Sequence, residues 1–208
     1  MAKQAHYNAL EHIAPETAVD PYHRPAFTLR DRLKRLLWNV AYVLLFRLSP
    51  RPFFAWRALI LRTFGAKLGP GCKFYPGAKI YCPWNLDCED LVAIADEAEL
   101  YNPAPLKIGS HAIVSQGAYV CGATHDFDDE RFPLIACAME IGPYAWVCAR
   151  ACVAPGVKVG EGAILGLASV ATKSLESWTV YAGAPAVRVK DRRRTVDLSK
   201  SPSLEEIA

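Results

Sequence analysis

An apolar residue recurs at every sixth position over long stretches of residues 66–188, and no other feature of the sequence restricts the fold so strongly. A period of six matches neither the 3.6-residue period of a helix nor the two-residue alternation of a simple strand. The recurring residues are Leu68, Phe74, Ile80, Cys88, Ile94, Leu100, Ile108, Val114, Val120, Ile141, Val147, Val153, Val159, Leu165 and Ala171. A small residue often stands two positions earlier, at Ala78, Ala98, Ala118, Ala145, Ala151, Val157 and Ala163.

A triangular coil explains this period. Each side is a short strand with one side chain pointing inward, and successive coils stack at the strand spacing of about 4.8 Å. Glycine suits the corners, where φ can be positive, and Gly69, Gly109, Gly142 and Gly160 directly follow inward positions. We therefore predict a mainly β fold, a parallel β-helix over residues 65–188, followed by a short C-terminal tail, 189–208.

The residues before the repeat divide into two segments. Residues 1–27 are polar, contain three prolines and show no period. Residues 28–64 are predicted to be helical, with Thr28 as the N-cap and Pro50 and Pro52 as the break. Leucines at helical spacing form one face of the first helix, opposite charged residues.

Residues 28–62 combine basic and aromatic side chains, as segments that lie on a membrane surface do. They fall short of the ~20 apolar residues that span a bilayer. The alternative is a helical hairpin packed on its own solenoid or on another subunit. The residues concerned are Arg30, Arg32, Lys34, Arg35, Arg47, Arg51, Arg57 and Arg62, with Trp38, Phe46, Phe53, Phe54 and Trp56.

Composition restricts the function classes. Hydrophobic residues make up 52% and charged residues 22% of the chain, which favours a folded core over disorder. The formal net charge of +3 gives no support for nucleic acid as a partner. Seven cysteines, an odd number without a CxxC pair, and a polar N-terminus without an early apolar stretch predict free thiols in a reducing cytoplasm.

The repeat is interrupted once at length, by the loop 121–140. A solenoid gains no stability from such an excursion, and long loops in compact folds are frequently functional. The loop contains His125, one of two histidines in the repeat region; the other is His111. Histidine has a pKa suited to taking a proton from an alcohol. We therefore consider His125 a candidate general base, with a solvated loop histidine as the alternative.

The repeat resembles the hexapeptide acyltransferases, a family of left-handed parallel β-helices. Within that family the chain is similar to the exopolysaccharide branch, the colanic-acid O-acetyltransferases. The segments that carry this resemblance are 64–69, 83–86, 115–120 and Thr124-His125-Asp126. The left hand is implied by the resemblance alone, since the general rule for parallel crossovers predicts a right hand.

The resemblance implies an acyl-CoA-dependent O-acetyltransferase with acetyl-CoA as co-substrate, a sugar or glycan acceptor and no metal. His125 would be the general base, Asn102 would position the acceptor or the loop, and Asp126 could orient the imidazole. Coenzyme A would bind between neighbouring solenoids of a homotrimer. Its predicted contacts are Trp146, Ala149, Gly166, Ala168, Thr172, Lys173 and Arg188.

Three alternatives remain open at this stage. An N-acetyltransferase acting on an amino sugar would use the same fold. A zinc hydratase on a β-helix would need three histidine ligands, and only His111 and His125 lie in the repeat region. A non-catalytic binding scaffold would not need the long loop. The predicted location is the cytoplasm, with peripheral contact at the inner face of the membrane if residues 28–62 bind lipid.

Overall fold

The computed structural model describes residues 29–193, which form a three-sided parallel β-solenoid preceded by a helical cap. Thr28, the predicted polar segment 1–27 and most of the tail, 194–208, lie outside the described residues. The cap consists of α1 (Leu29–Ala41), a π-helical turn (Tyr42–Arg47) and α2 (Phe54–Thr63). Within the described residues, no helix is long and apolar enough to cross a bilayer.

Three sheets form the sides of the solenoid, and up to the last coil each strand pairs in parallel with its equivalent one coil later. Sheet A contains β1 (Lys67–Leu68), β4 (Leu86–Cys88), β7 (Leu106–Ile108), β12 (Met139–Ile141) and β15 (Lys158–Val159). Sheet B contains β2 (Lys73–Phe74), β5 (Ala93–Ile94), β8 (Ile113–Val114), β13 (Trp146–Val147), β16 (Ile164–Leu165), β18 (Thr179–Gly183) and β19 (Ala186–Asp191). Sheet C contains β3 (Lys79–Ile80), β6 (Glu99–Tyr101), β9 (Tyr119–Cys121), β14 (Cys152–Val153) and β17 (Val170–Ala171).

The six-residue repeat sets the register and the core, as predicted. In sheet B, for example, Phe74 pairs with Ile94 and Ile94 with Val114, and all three side chains are fully buried. The small residues two positions earlier are buried as well, which fits a narrow interior that larger side chains would overfill. The strand β19 pairs antiparallel with β18 and reaches Asp191, so the solenoid's last strand extends beyond the predicted position 188.

The glycines after inward positions serve a different purpose from the one predicted. Positive φ occurs at other corner positions, including non-glycine residues such as His111, Tyr144 and Trp178. At Gly109, a Cβ atom would lie 2.4 Å from the backbone nitrogen of Pro143 in the next coil. At Gly142 it would lie 2.6 Å from the nitrogen of Glu161. Glycine is required there because adjacent coils approach too closely for a side chain.

The helical cap closes the N-terminal end of the solenoid. The indole nitrogen of Trp38 donates a hydrogen bond to the carbonyl oxygen of Ile80 at 2.7 Å, and Phe46 packs beside it. The guanidinium of Arg57 is fully buried and donates to the carbonyl oxygens of Phe74 and Pro50. Of the two readings of these basic and aromatic residues, Trp38, Phe46 and Arg57 follow the alternative, since they hold the cap on the first coil and do not face outward.

Candidate active site

Every enlarged coil departs from the regular path at the same corner, between sheet C and sheet A, which we call the CA edge. Along sheet A, Lys67 pairs with Asp87, Asp87 with Lys107, Lys107 with Glu140, and Glu140 with Lys158. The step from Glu140 to Lys158 equals three hexads, which is the length of a regular coil. The steps from Lys67 to Asp87 and from Asp87 to Lys107 are slightly longer than that, and the step from Lys107 to Glu140 is nearly twice as long. The third coil therefore carries the one large expansion.

The large expansion is a β-hairpin that carries His125. Its strands are β10 (Ala123–His125) and β11 (Leu134–Ala136), paired antiparallel with His125 opposite Leu134. The predicted loop 121–140 thus has its own backbone hydrogen bonds, since a projecting segment must pair its polar groups. The hairpin places the imidazole in an exposed position at the CA edge.

The imidazole of His125 is oriented by a backbone carbonyl. Its Nδ1 atom lies 2.6 Å from the carbonyl oxygen of Phe132. A carbonyl oxygen can only accept, so Nδ1 carries the proton and the neutral ring has its lone pair on Nε2. This is the arrangement of a general base, in which a fixed tautomer leaves the second nitrogen ready to accept a proton.

Asp126 is engaged elsewhere in the hairpin. Its Oδ1 atom accepts a hydrogen bond from the backbone N–H of Asp128 at 3.1 Å, which closes a local turn. We considered Asp126 for orienting the imidazole; the partner that the structure shows for Nδ1 of His125 is the carbonyl oxygen of Phe132. No sequence signal identifies that carbonyl, because every residue has one.

The tip of the hairpin forms a shallow, mainly acidic depression. Arg131 makes a forked contact with Asp129, with nitrogen–oxygen distances of 2.9 and 2.6 Å. Hydrogen bonds from Arg131 lower the pKa of the Asp129 carboxyl to about 2. The depression is lined by Asp126, Asp128, Asp129, Glu130 and Arg131.

Asn102 lies at the same edge, one coil before the hairpin, and is almost fully buried. Its Oδ1 accepts from the N–H of Cys82 at 2.9 Å, and its Nδ2 donates to the carbonyl of Cys82 at 2.8 Å. The chain beside it contacts the hairpin base, since Gly122 donates to the carbonyl of Tyr101. These contacts support a positioning role for Asn102 beneath the hairpin.

The predicted pantetheine contacts lie at a different corner, between sheet B and sheet C, which we call the BC edge. Ala149 and Ala168 stack there, with the N–H of Ala168 donating to the carbonyl of Ala149 at 3.0 Å. Gly166 starts the same corner. Beside this row, on sheet B, the indole of Trp146 donates to the hydroxyl of Ser115 at 2.8 Å, a contact that the sequence alone did not indicate.

The predicted phosphate contacts are divided between two places. Thr172 and Lys173 follow β17 at the CA edge, two coils beyond the hairpin, and both are exposed. Arg188 lies on β19 and pairs with Asp191 at 2.5 Å and Glu176 at 4.0 Å. One chain therefore brings His125, Asn102 and Asp126 to one edge and Ala149, Gly166 and Ala168 to another, with a full face of the solenoid between them.

Metal ligands do not cluster in the part of the chain that the structure describes. Across residues 29–193, no group of three or more His, Cys, Asp or Glu side chains could hold a metal ion.

The sequence has curated relatives among the acetyltransferases. It is 36% identical over 165 residues to the putative colanic acid biosynthesis acetyltransferase WcaF of Escherichia coli K12, covering 79% of this chain and 91% of that protein. No protein-family model matches the chain.

Solved structures share the fold. The hexapeptide-repeat acetyltransferase VCA0836 of Vibrio cholerae, in complex with acetyl coenzyme A, superposes with a TM-score of 0.72 at 19% identity, covering 80% of this chain and 91% of that one. A maltose O-acetyltransferase from Clostridium difficile 630 gives a TM-score of 0.69 at 18% identity, covering 80% and 90%. At these identities the likeness concerns the fold, which is that of the left-handed β-helix acetyltransferases.

The predicted resemblance is thus confirmed by a relative that matches most of both chains, and by solenoids of the same architecture. The chain belongs to the hexapeptide-repeat acetyltransferase family, in the branch of the colanic acid biosynthesis acetyltransferases.

Proposed function

We propose that this protein transfers an acetyl group from acetyl-CoA to a hydroxyl of a sugar or glycan intermediate in exopolysaccharide biosynthesis, with His125 as general base. The observation that carries the proposal is the hydrogen bond between Nδ1 of His125 and the carbonyl of Phe132. In the neutral ring this hydrogen bond puts the proton on Nδ1 and the lone pair on Nε2, at an exposed edge where an acceptor can approach.

The reaction needs few protein groups. Nε2 of His125 takes the proton of the acceptor hydroxyl while that oxygen attacks the thioester carbonyl carbon. Backbone N–H groups of the coils would stabilise the negative oxygen of the tetrahedral intermediate. The carbon–sulfur bond then breaks, coenzyme A leaves as the thiolate, and the imidazolium returns the proton to it. An acetyl ester and free CoA are the products.

The separation of the two edges supports a homotrimer. Within one chain the general base and the small-residue row are a full face apart, so the CA edge of one solenoid would have to meet the BC edge of its neighbour. The outward faces of sheets A and B also differ in polarity, which fits a contact between unlike faces of neighbouring solenoids. Sheet A presents the charged row Lys67, Asp87, Lys107, Glu140 and Lys158, whereas sheet B presents Ile113, Trp146 and Ile164.

Acetyl-CoA would lie along the BC edge. Ala149, Gly166 and Ala168 would allow the pantetheine arm to approach the backbone, and Trp146 would flank it. Arg188 and, from the CA edge of the neighbouring solenoid, Thr172 and Lys173 are the proposed contacts for the phosphates, which attract basic side chains. We place this chemistry in the cytoplasm, at the inner face of the membrane, where a lipid-linked acceptor would be accessible.

Labelled acetyl-CoA and a panel of acceptors test the proposal. The panel contains neutral sugars, amino sugars, nucleotide sugars and lipid-linked sugars, and the acetylated atom is located by NMR. We expect an ester that hydroxylamine removes. A hydroxylamine-stable amide would instead identify an N-acetyltransferase. If no acceptor is labelled and acetyl-CoA does not bind, the protein is a scaffold and the proposal fails.

A further inference from the structure

The helix α1 is amphipathic in the reverse sense to a helix that packs on a core. Two of its basic residues face the solenoid: Arg35 lies 4.2 Å from the ring centre of Tyr81, and Lys34 lies 5.6 Å from that of Trp84. The apolar side of the helix points the other way. We call it the outer leucine face; it consists of Leu29, Leu33, Leu36, Leu37 and Val40, which are 80%, 58%, 59%, 56% and 51% exposed.

Helical geometry places the outer leucine face opposite Trp38, the residue of α1 that is bonded to the solenoid. At 3.6 residues per turn, Leu29, Leu33, Leu36 and Val40 lie on the side of α1 away from Trp38, which is 1% exposed. Further exposed apolar residues lie elsewhere in the cap: Val43, Leu44, Leu45, Leu48, Phe53, Trp56 and Leu59. Apolar exposure on this scale marks an interaction surface.

We infer that the outer leucine face docks on the surface of an anionic lipid bilayer. The charge of the cap selects this partner. Residues 29–64 contain eight Arg or Lys residues, seven of them outside the buried core, and a single acidic residue, Asp31, although the whole chain has 21 acidic residues. Arg30 and Arg32 flank the face on its two sides and are exposed, as is Arg47 farther along. Basic residues beside a half-buried apolar face are the composition of peripheral membrane helices.

A second copy of the cap is a poorer partner. Self-association through this face would bring two strongly basic surfaces together, and like charges at close range repel. An anionic bilayer matches both the charge and the apolar character of this surface. Its headgroups neutralise the arginines, and its acyl region buries the leucine side chains. The docking is peripheral, since no described helix can span the bilayer.

The position of the cap also sets a distance to the candidate active site. The hairpin with His125 leaves the third coil, so it lies about two to three strand spacings of ~4.8 Å from the cap along the solenoid. Parallel solenoids in a trimer would present all three caps at one end. This consequence rests on the proposed function, whereas the docking itself does not.

Flotation of the full chain with vesicles tests the inference. One set of vesicles contains phosphatidylcholine with phosphatidylglycerol, and the other contains phosphatidylcholine alone. We expect flotation with the anionic vesicles at low salt, and loss of it as salt screens the surface charges. The double variant Leu33→Ser with Leu36→Ser should bind at least about tenfold more weakly. Its matched control is Val189→Ser, an equally exposed apolar residue at the far end of the solenoid, which should bind as the unaltered protein does.

A second variant keeps the test independent of the leucines. Arg30→Gln with Arg32→Gln should weaken binding about thirtyfold at low salt, because each basic residue near an anionic leaflet contributes about 1 kcal/mol. The control Lys107→Gln removes an exposed cation from sheet A and should have no effect.

Three outcomes would overturn the inference. Absence of flotation at low salt refutes it directly. If flotation is absent and the leucine variant lowers the assembly mass in light scattering, a second copy covers the face. If flotation is absent and that variant loses thermal stability at unchanged mass, residues 1–28 cover it. None of these outcomes affects the acetyl-transfer assay, so the two proposals can fail separately.

Discussion

The side-chain amide of Asn102 forms two hydrogen bonds with the backbone of Cys82 in the preceding coil, accepting from its N–H and donating to its carbonyl oxygen. The amide thus replaces a backbone ladder pair at the point where the chain leaves the regular coil. The two hydrogen bonds connect the CA edge of the second coil, next to the hairpin, to the CA edge of the first coil. We therefore expect Asn102 to hold this corner in place, and its loss should be visible first in stability.

Asn102→Ala should lower the free energy of unfolding by about 2–4 kcal/mol, because a buried N–H and a buried carbonyl of Cys82 lose their partners. Denaturant unfolding measures this change. The control Asn85→Ala removes only donors, to the carbonyls of Asn102 and Pro103, and should cost about 1 kcal/mol. If Asn102→Ala kept full stability but raised the KM for the acceptor, direct contact with the acceptor would be the better account.

His125→Ala should lower kcat by about 10²–10⁴-fold while leaving the affinity for acetyl-CoA nearly unchanged, since the base does not lie on the small-residue row. Steady-state kinetics and calorimetric titration with acetyl-CoA measure the two quantities. The matched control is His111→Asn, which removes the other histidine of the repeat region and should leave kcat unchanged. Asparagine is chosen because it tolerates the positive φ of 59° at this corner. A wild-type rate in His125→Ala would place the base elsewhere.

Asp126→Asn should lower kcat less than about tenfold. The amide oxygen can still accept the hydrogen bond from the N–H of Asp128, and the imidazole keeps its partner, the carbonyl of Phe132. The pH profile of kcat/KM should keep its shape. A loss of about a hundredfold or more, with a displaced profile, would instead assign the orientation of the imidazole to the carboxylate of Asp126.

Lys173→Ala should weaken binding of acetyl-CoA by about tenfold or more, because a charge-assisted hydrogen bond to a phosphate contributes about 1.5–3 kcal/mol. Arg188→Ala should have the smaller effect, since Asp191 and Glu176 already pair with that guanidinium. Comparison of CoA with dephospho-CoA locates the contact. Equal affinity of Lys173→Ala and the unaltered protein would exclude Lys173 from the donor site.

The protein should lose stability in alkaline solution. Burial raises the pKa of the Cys82 thiol from 9.0 to about 12, and it raises the pKa of Cys72, Cys88 and Cys137 as well. The unfolded chain releases these protons near pH 9 while the folded chain retains them. The free energy of unfolding should therefore be unaffected by these groups below about pH 9 and should fall as pH rises toward 12.

Thermal unfolding between pH 7 and 11 measures this effect, with Cys82→Ala as the comparison. The variant should show a shallower alkaline decline, although its stability at neutral pH is lower. An equal decline in both proteins would mean that the thiol of Cys82 does not contribute.

The sequence by itself determined the solenoid and its register. Residues such as Phe74, Ile94 and Val114 recur every sixth position because each coil has three short sides with one inward side chain, and that period is visible without any coordinates. The long excursion with His125 was visible too, as the one long interruption of the repeat, whereas its pairing as a hairpin was not. Local chemistry and spacing were sufficient for these predictions.

Only the tertiary structure decided how neighbouring coils and the cap meet. The orientation of His125 depends on a backbone carbonyl seven residues later, and the buried bonds of Asn102 reach a residue twenty positions earlier. The direction of α1 was also beyond the sequence, since its leucine periodicity is the same whether the leucines face the core or the solvent. The hydrogen bond from Trp38 to Ile80 fixes the helix with its leucines outward. Such a contact joins residues that are distant in the chain, so it leaves no local pattern in the sequence.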